Sequence, residues 1–196
     1  LGNETPKPGD ARLSPVSTHI VASANQFLDA AAASLNDAGL PAFILSDALA
    51  GEAAQVALVQ AAIAREIGLR GRPFAPPCVL LSGGETTVTV RGGGSGGPNL
   101  EFLLGLVVAL GDTSNIAALA CDTDGSDGSS GVAGAVVRPD TSARAAAAGL
   151  DARGALERND SLAFFQALGD LVITGPTFNN VNDFRALVVR PRAPGL

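Results

Sequence analysis

The chain of 196 residues is long enough for one large domain, and its 46% apolar residues provide for a sizeable core. Aromatic residues make up only 4%, with no Trp or Tyr, so that core must be built mainly from Ala, Val and Leu. The net charge of −6, without a basic stripe, argues against nucleic-acid binding, which depends on clustered Lys and Arg.

The remaining composition favours a cytoplasmic protein. No run approaches the roughly 18 strongly apolar residues of a membrane span, so we expect no such span, and we expect no secretory leader. Cys78 and Cys121 lie in strand-like runs and are expected to be free thiols. Because the chain begins at Leu1 and contains no Met, we expect it to be a piece of a longer protein.

The first part of the chain predicts strands alternating with helices. Ser23 is a helix N-cap, with Gln26 completing a capping box, and Gly39 ends that helix. The predicted elements are an extended connector over 1–17, a short strand over 20–22, a helix over 24–38, a strand over 42–45, a turn at Ser46-Asp47, a helix over 52–67 ended by Gly68, a proline loop over 70–77 and a strand over 78–81.

The second part continues with a strand of β-branched residues over 86–90. Gly97 and Pro98 then open a helix that Gly111 ends. The further predicted elements are strands over 116–121 and 132–137, short helices over 141–148 and 161–167, and final strands at 172–173 and 186–189. The alternation predicts an α/β fold, layered α/β/α with a mostly parallel, partly mixed sheet. We divide it into a first α/β part over 18–75 and a domain over 76–196.

Two glycine-containing segments suit a phosphate-bearing ligand. Residues 82–86 (Ser-Gly-Gly-Glu-Thr) end a predicted strand, where glycines allow close backbone approach and Glu85 and Thr86 add a carboxylate and a hydroxyl. An ordinary turn is the alternative for this segment.

In the second segment, Gly92, Gly94 and Gly97 match G-x-G-x-x-G, with Asp122 as the acidic residue after the next strand. The match is weak because five of the six residues from 92 to 97 are Gly, and a mobile hairpin or crossover loop is the alternative. A Walker-type phosphate loop is excluded because no G-K-[ST] follows.

Acidic and amide side chains are candidates for metal and substrate binding. Asp122, Asp124 and Asp127 offer oxygen ligands, and if a cation binds, Mg²⁺ that bridges to phosphate is the favoured one. Capping of the turn is an equally good explanation for any single one of these Asp residues. An EF-hand is excluded, since Asp127 and Ala133 stand where it needs Gly and Glu. The Asn-rich loop over 174–183 suits a hydroxyl or carboxylate ligand, or merely satisfies its own backbone. His19, the single histidine, is expected to be structural.

Taken together, these segments resemble the carboxyl-terminal half of the type-2 glycerate kinases, including the module called the MOFRL domain. Some members of that family are labelled hydroxypyruvate reductase. The resemblance covers nearly the whole chain. It is carried by Ser-Gly-Gly-Glu-Thr-Thr at 82–87, Thr-Asp-Gly-Ser-Asp-Gly at 123–128, Thr-Gly-Pro-Thr at 174–177 and Asn-Val-Asn-Asp at 180–183, in this order.

The resemblance implies one lobe of a two-lobe enzyme that phosphorylates D-glycerate to 2-phosphoglycerate with ATP and Mg²⁺, in a cleft between the lobes. Residues 76–196 would form the MOFRL-like domain, glycerate and a missing amino-terminal lobe would be its partners, and homodimer formation is left open. Asp124 and Asp127 would hold the metal. The substrate or nucleotide contacts would come from Ser82, Gly83, Gly84, Glu85, Thr86, Gly94, Gly96, Asn99, Thr174, Asn180 and Asn182.

Two positions depart from the family pattern. Pro98 stands where the family has an Arg that would neutralise phosphoryl charge, and Phe178-Asn179 replaces a Gly-Thr pair. The amino-terminal lobe, which carries a catalytic Lys in the family, is expected to lie outside these 196 residues. We therefore expect the chain alone to fold but not to turn over. The alternatives are an NAD(P)H-dependent hydroxypyruvate reductase, which the G-x-G-x-x-G match would serve, and a non-catalytic binding or assembly module.

Overall fold

The structure, a computed structural model, describes residues 5–192. Residues 1–4 of the predicted connector and residues 193–196 of the predicted MOFRL-like domain lie outside the described residues. A 3₁₀ turn at Ala11–Leu13 comes first. The helices and strands are α1 Ala24–Asp37, β1 Ala42–Glu52, α2 Ala53–Arg70, β2 Cys78–Thr87, α3 Pro98–Leu110, β3 Ile116–Asp122, β4 Gly134–Val137, α4 Thr141–Ala147, α5 Ala152–Glu157, α6 Ser161–Leu168, β5 Leu171–Val172 and β6 Asp183–Val189.

The strands form one six-stranded open sheet in the order β1-β2-β6-β3-β4-β5. The predicted α/β class with a mixed sheet is confirmed. The parallel share is smaller than expected, because β1 and β2 pair in parallel whereas β6 is antiparallel to both β2 and β3, and β4 and β5 continue antiparallel. The last strand returns into the middle of the sheet, a placement that the order of elements along the chain does not reveal.

Helices cover both faces of the sheet. Alternate residues of β2 point to opposite faces, so Leu80 joins the core under α2 and α3 while Val79 and Leu81 pack against Leu28 of α1. Helix α3 is buried along almost its whole length. Its position is therefore fixed by the core, and so is the position of its amino-terminal end.

Several element boundaries differ from the prediction. Residues 20–22 form no strand, and Ile20 and Val21 are 79% and 93% exposed. Strand β1 continues through the predicted turn at Ser46-Asp47, with register irregularities between Ile44 and Leu49. Strand β2 likewise continues to Thr87, so residues 82–86 lie inside a strand and not in a turn, whereas residues 88–90 have no strand.

The predicted end of α2 at Gly68 is also wrong. The helix continues to Arg70 and ends at Gly71, which has a left-handed φ of 65°. A Cβ on Gly68 would lie 2.6 Å from Asn115 Nδ2. This glycine therefore leaves room for the Asn115 side chain and does not end the helix. Helix α5 was not predicted from the sequence. The Asp151 carboxylate caps it by accepting the N–H of Gly154.

The predicted free thiols are confirmed. Cys78 is buried, and burial raises the pKa of Cys121 to about 11. Across residues 5–192, none of the helices combines the length and apolar character that crossing a bilayer requires.

Candidate functional site

The candidate site lies at the edge of the sheet where β2 and β3 end and β6 begins. Asp122 at the end of β3 pairs with Asp183 at the start of β6, and Ser82 of β2 pairs with Arg185. The amino terminus of α3 reaches the same edge, since Asn99 contacts Asp183. Polar residues that are distant along the chain are thereby brought together.

A buried ion pair forms the centre of this edge. The Arg185 side chain is fully buried, and its Nη2 donates to the Asp183 carboxylate and, at 2.8 Å, to Thr86 Oγ1. Its guanidinium carbon also lies 5.2 Å from the centre of the Phe102 ring. Burial lowers the pKa of Arg185, and the neighbouring Asp183 opposes that effect. The pair ties β6 to the end of β2.

Asp127 extends this network to α3. Its carboxylate accepts the backbone N–H groups of Asn99 and Leu100, both at 2.9 Å, and Asn99 Nδ2 at 3.1 Å. Asn99 Nδ2 also donates to Asp183 Oδ1 at 2.6 Å. Burial raises the pKa of Asp127 to about 6, although the backbone N–H donors act in the opposite direction. Asp127 thus caps α3, whose Gly97 N-cap has no side chain to do so.

The glycines of residues 92–97 allow close packing against the start of α6. A Cβ on Gly94 would lie 2.5 Å from Asp160 Cβ, and one on Gly96 would lie 2.1 Å from Ser161 Oγ. The Gly94 N–H donates to the Arg158 carbonyl at 3.0 Å. This segment is therefore held in place by the chain around the start of α6. At Gly94 and Gly96 the contact is too close for a side chain.

Asn159 connects the same segment to a buried carboxyl group. Its Oδ1 accepts the N–H groups of Arg91 and Gly92 at 2.7 and 3.1 Å, and its Nδ2 donates to Glu101 Oε1 at 2.9 Å. Burial raises the pKa of Glu101, and nearby Glu52 acts in the same direction. Asn159 and Glu101 border a cleft of about 380 Å³. It is the first of two clefts described at this edge of the sheet.

The acidic turn after β3 is joined to the Asn-rich loop before β6. Asp124 Oδ1 accepts the Ser126 N–H at 2.8 Å, and its Oδ2 accepts Asn180 Nδ2 at 3.3 Å. Thr177 Oγ1 donates to the Thr123 carbonyl at 2.5 Å. The two segments are therefore held together by direct hydrogen bonds.

A second cleft, of about 550 Å³, lies between these two segments. Its lining consists of Asp124, Gly125, Ser126, Gly131, Gly175, Pro176, Phe178, Asn179 and Asn180. A volume of this size is typical of small-molecule sites. None of the described residues that line either cleft is Lys or Arg.

The predicted site residues separate into a buried frame and an accessible rim. The frame consists of Ser82, Gly83, Gly84, Thr86, Asn99 and Asp127. The half-buried or exposed residues are Glu85, Gly94, Gly96, Asp124, Thr174, Asn180 and Asn182. Gly84 shows how tight the frame is, because a Cβ there would lie 2.2 Å from the Leu49 carbonyl oxygen of the adjacent strand. The ligand contacts predicted for both groups stay predictions.

The two predicted metal ligands have different surroundings. Asp127 is 1% exposed and receives three N–H donors, whereas Asp124 borders the open cleft. No group of three or more His, Cys, Asp or Glu side chains that could hold a metal forms within residues 5–192. Mg²⁺ often binds through one or two carboxylates, with water and phosphate as its other ligands. Asp124 fits that kind of site, whereas the carboxylate of Asp127 is already engaged in capping α3.

Arg185, Asn159 and Glu101 were not among the site residues predicted from the sequence. A signal existed for Arg185, because residues 183, 185, 187 and 189 alternate onto the buried face of β6. A charged residue in such a row requires a buried partner. Asn159 gave no comparable signal, since its partners precede it by more than fifty residues.

Comparison with known proteins places these features in one family. A family model described as "MOFRL family" matches residues 78–183, more than half of the chain. A protein of Agrobacterium vitis named "Putative hydroxypyruvate reductase" is 50% identical over 190 residues, which are 96% of this chain and 43% of that protein. The "Glycerate 2-kinase" of Pyrococcus horikoshii is 38% identical over 89% of this chain and 40% of its own length.

Solved structures agree with this result. A crystal structure of glycerate kinase from Thermotoga maritima superposes with a TM-score of 0.86 at 34% identity, over 90% of this chain and 42% of that one. The chain therefore spans about two fifths of the length of these relatives.

Proposed function

Because this chain belongs to the MOFRL family, we propose that it forms one lobe of an enzyme that transfers the terminal phosphoryl group of ATP to D-glycerate, giving 2-phosphoglycerate. Support comes from relatives named glycerate 2-kinase in Pyrococcus horikoshii and Thermotoga maritima, and from the glycerate kinase structure of Thermotoga maritima, which has the same fold over 90% of this chain. A second lobe, matching the part of those relatives that this chain does not span, completes the cleft.

The observation that carries the proposal is the convergence at one sheet edge of a rigid buried frame and an accessible polar rim. The Arg185–Asp183 pair and Asp127 fix the ends of β2, β6 and α3 relative to one another. The Asp124 and Asn180 side chains stand at the rim. Phosphoryl transfer depends mainly on positioning and on neutralising charge, and a frame of this kind supplies the positioning.

The positive charge that neutralises the phosphate groups must come from groups other than the side chains that line the two clefts. Their described lining offers no Lys or Arg, so it does not by itself attract a triphosphate. Asp124 would bind Mg²⁺, which supplies positive charge next to the phosphate oxygens when it is bound. The second lobe would supply cationic side chains. Both requirements predict that the 196-residue chain alone does not turn over.

The decisive experiment measures ADP formation by the full-length protein with ATP, Mg²⁺ and D-glycerate. Phosphorus NMR of the product distinguishes 2-phosphoglycerate from 3-phosphoglycerate. Asp124→Asn should lower turnover by at least tenfold, while Asp112→Asn, at the opposite end of β3, should leave it unchanged. Robust turnover by the isolated chain would contradict the two-lobe requirement, and absence of glycerate-dependent ADP formation would reject the kinase.

A reductase is the second candidate because the relative at 50% identity carries that name. The same protein assayed with NADH and hydroxypyruvate tests it. The structure favours the kinase, since residues 88–90 before the glycines form no strand and Gly92 and Gly94 pack against Arg158 and Asp160. A dinucleotide fingerprint needs such glycines to face the pyrophosphate directly after a strand. NADH oxidation without ADP formation would reverse this preference, and binding of neither nucleotide would favour a non-catalytic module.

A further inference from the structure

Phe178 combines two unfavourable properties. Its side chain is 97% exposed to solvent, and its backbone has a φ of 59°, in the left-handed region. A residue with a Cβ seldom adopts that conformation, and a large apolar ring gains nothing from water. Non-glycine residues held in this way often belong to functional sites.

The loop holds Phe178 on both sides. The Thr177 N–H donates to the Asp124 carbonyl at 2.9 Å, and Thr177 Oγ1 donates to the Thr123 carbonyl at 2.5 Å. After Phe178, Asn180 Nδ2 donates to the Asp124 carboxylate at 3.3 Å, and the Val181 N–H donates to Thr123 Oγ1 at 2.9 Å. The ring is therefore presented from a fixed backbone, as in a preorganised binding site.

The residues around the Phe178 ring indicate which kind of ligand would contact it. Phe178 lines the 550 Å³ cleft together with the Asn179 and Asn180 amides and the Asp124 carboxylate. Flat aromatic faces stack on nucleic-acid bases, and amides can bond to base edges or ribose hydroxyl groups. Glycerate has three carbons and no planar ring, so it could not use such a platform. Without a Lys or Arg in the lining, stacking would contribute much of the ligand's hold on this cleft.

We propose that Phe178 is a specificity-determining residue of the nucleotide site and stacks on the purine base of the phosphoryl donor. The inference rests on the proposed kinase function and adds to it the location of the base. With the base on Phe178, the phosphate groups would occupy the rest of the same cleft, which Asp124 also lines and where it would hold Mg²⁺.

The test measures calorimetric binding by the full-length protein of two ligands, each with Mg²⁺: a non-hydrolysable ATP analogue, and tripolyphosphate, which has no base. Phe178→Ala should weaken binding of the ATP analogue about tenfold, within the range for losing one stacked base. Binding of tripolyphosphate should not change. Phe178→Tyr, which keeps the ring, should bind like the unaltered protein. Ile173→Ala, at a residue 72% exposed in the same connection but outside the cleft lining, is the matched control.

Phe178→Gly separates stacking from effects on folding. Glycine adopts a positive φ without strain, so this variant should unfold at the same or a higher denaturant concentration while binding the ATP analogue as weakly as Phe178→Ala. Equal weakening of both ligands would overturn the proposal, because it would show a damaged loop. An unchanged affinity for the ATP analogue would also overturn it, and a simultaneous change in oligomeric state would assign Phe178 to a protein interface.

The two proposals can fail separately. If the unaltered protein forms ADP from ATP and D-glycerate while Phe178→Ala does so with unchanged nucleotide affinity, the stacking role fails and the kinase stands. If the unaltered protein binds no ATP analogue and forms no ADP, the kinase proposal fails, and the nucleotide site fails with it.

Discussion

Replacing Arg185 by Met tests whether the buried ion pair holds the site edge together. Arg185 is fully buried, and its guanidinium donates to Asp183, to Thr86 Oγ1 at 2.8 Å and to the Gly83 carbonyl at 3.4 Å. Arg185→Met would leave the Asp183 carboxylate buried with Asn99 Nδ2 and the distant Thr86 N–H as its remaining donors. Breaking one side of a buried pair costs about 3–5 kcal/mol, and we expect a loss in that range.

The double variant Asp183→Asn/Arg185→Met distinguishes an uncompensated charge from lost packing. It removes both charges, and Arg185 Nε already has no hydrogen-bond partner within residues 5–192. The second substitution should therefore restore most of the free energy of unfolding, to within about 1–2 kcal/mol of the unaltered chain.

Urea denaturation of the 196-residue chain, followed by circular dichroism, measures both values. Arg70→Met is the control, since Arg70 is 58% exposed and pairs with Glu66 at the surface, and its midpoint should not move. An Arg185→Met variant as stable as the unaltered chain would refute the reasoning. So would a double variant that is less stable than the single one.

Three further predictions concern α3 and the glycine segment. Because burial raises the folded-state pKa of Asp127 to about 6 from 3.8, the folded chain binds a proton there that the unfolded chain does not. The free energy of unfolding should thus fall as pH rises between these values, by up to about 1.4 kcal/mol per pH unit, and Asp127→Asn should remove this part of the slope in denaturation at several pH values. Gly94→Ala should cost about 1–3 kcal/mol because its Cβ would collide with the chain before α6. Gly93→Ala, with nothing within 4 Å of its Cβ, should be neutral, and equal thermal midpoints for the two would contradict the packing argument. Phe102→Ala should lower the free energy of unfolding by about 3–5 kcal/mol in urea, since the ring is fully buried under Arg185, and a loss below about 1 kcal/mol would contradict that placement.

Helices with local start signals could be predicted from the sequence. Ser23 caps α1 by accepting the Gln26 N–H, and Gly97-Pro98 opens α3, both as expected. Such signals act between residues a few positions apart, so the sequence contains them completely. The confirmed α/β class depends on the same kind of local alternation of apolar and glycine-rich stretches.

Predictions that placed the end of a helix or strand at a glycine were less reliable. Gly83 and Gly84 lie inside β2 because β1 runs beside them, with Leu49 opposite Gly84. Gly68 lies inside α2 at a position where the Asn115 side chain leaves no room for a Cβ. In each case the glycine meets a neighbour from elsewhere in the chain. A local pattern contains no information about that neighbour.

The candidate site shows the same division. Asp124, Asp127 and the Asn-rich loop were selected from residue type and from the family resemblance, and the structure does bring the acidic turn and that loop together. It does not place Asp124 and Asp127 in equivalent surroundings, because one borders a cleft and the other caps a helix. Burial separates two side chains of the same chemistry, and burial belongs to the folded chain.

The sequence by itself determined the α/β class, the starts of α1 and α3, and the polar segments that form one edge of the sheet. Its motifs also pointed to the family that the comparisons identify. Only the tertiary structure decided the central, antiparallel place of β6 and the ion pair beneath it, the packing of the glycines against α6 and the exposure of Phe178. The physical reason is that capping and strand propensity act over a few residues. Pairing of strands, burial of charge and close backbone contact depend on residues that meet only when the chain is folded.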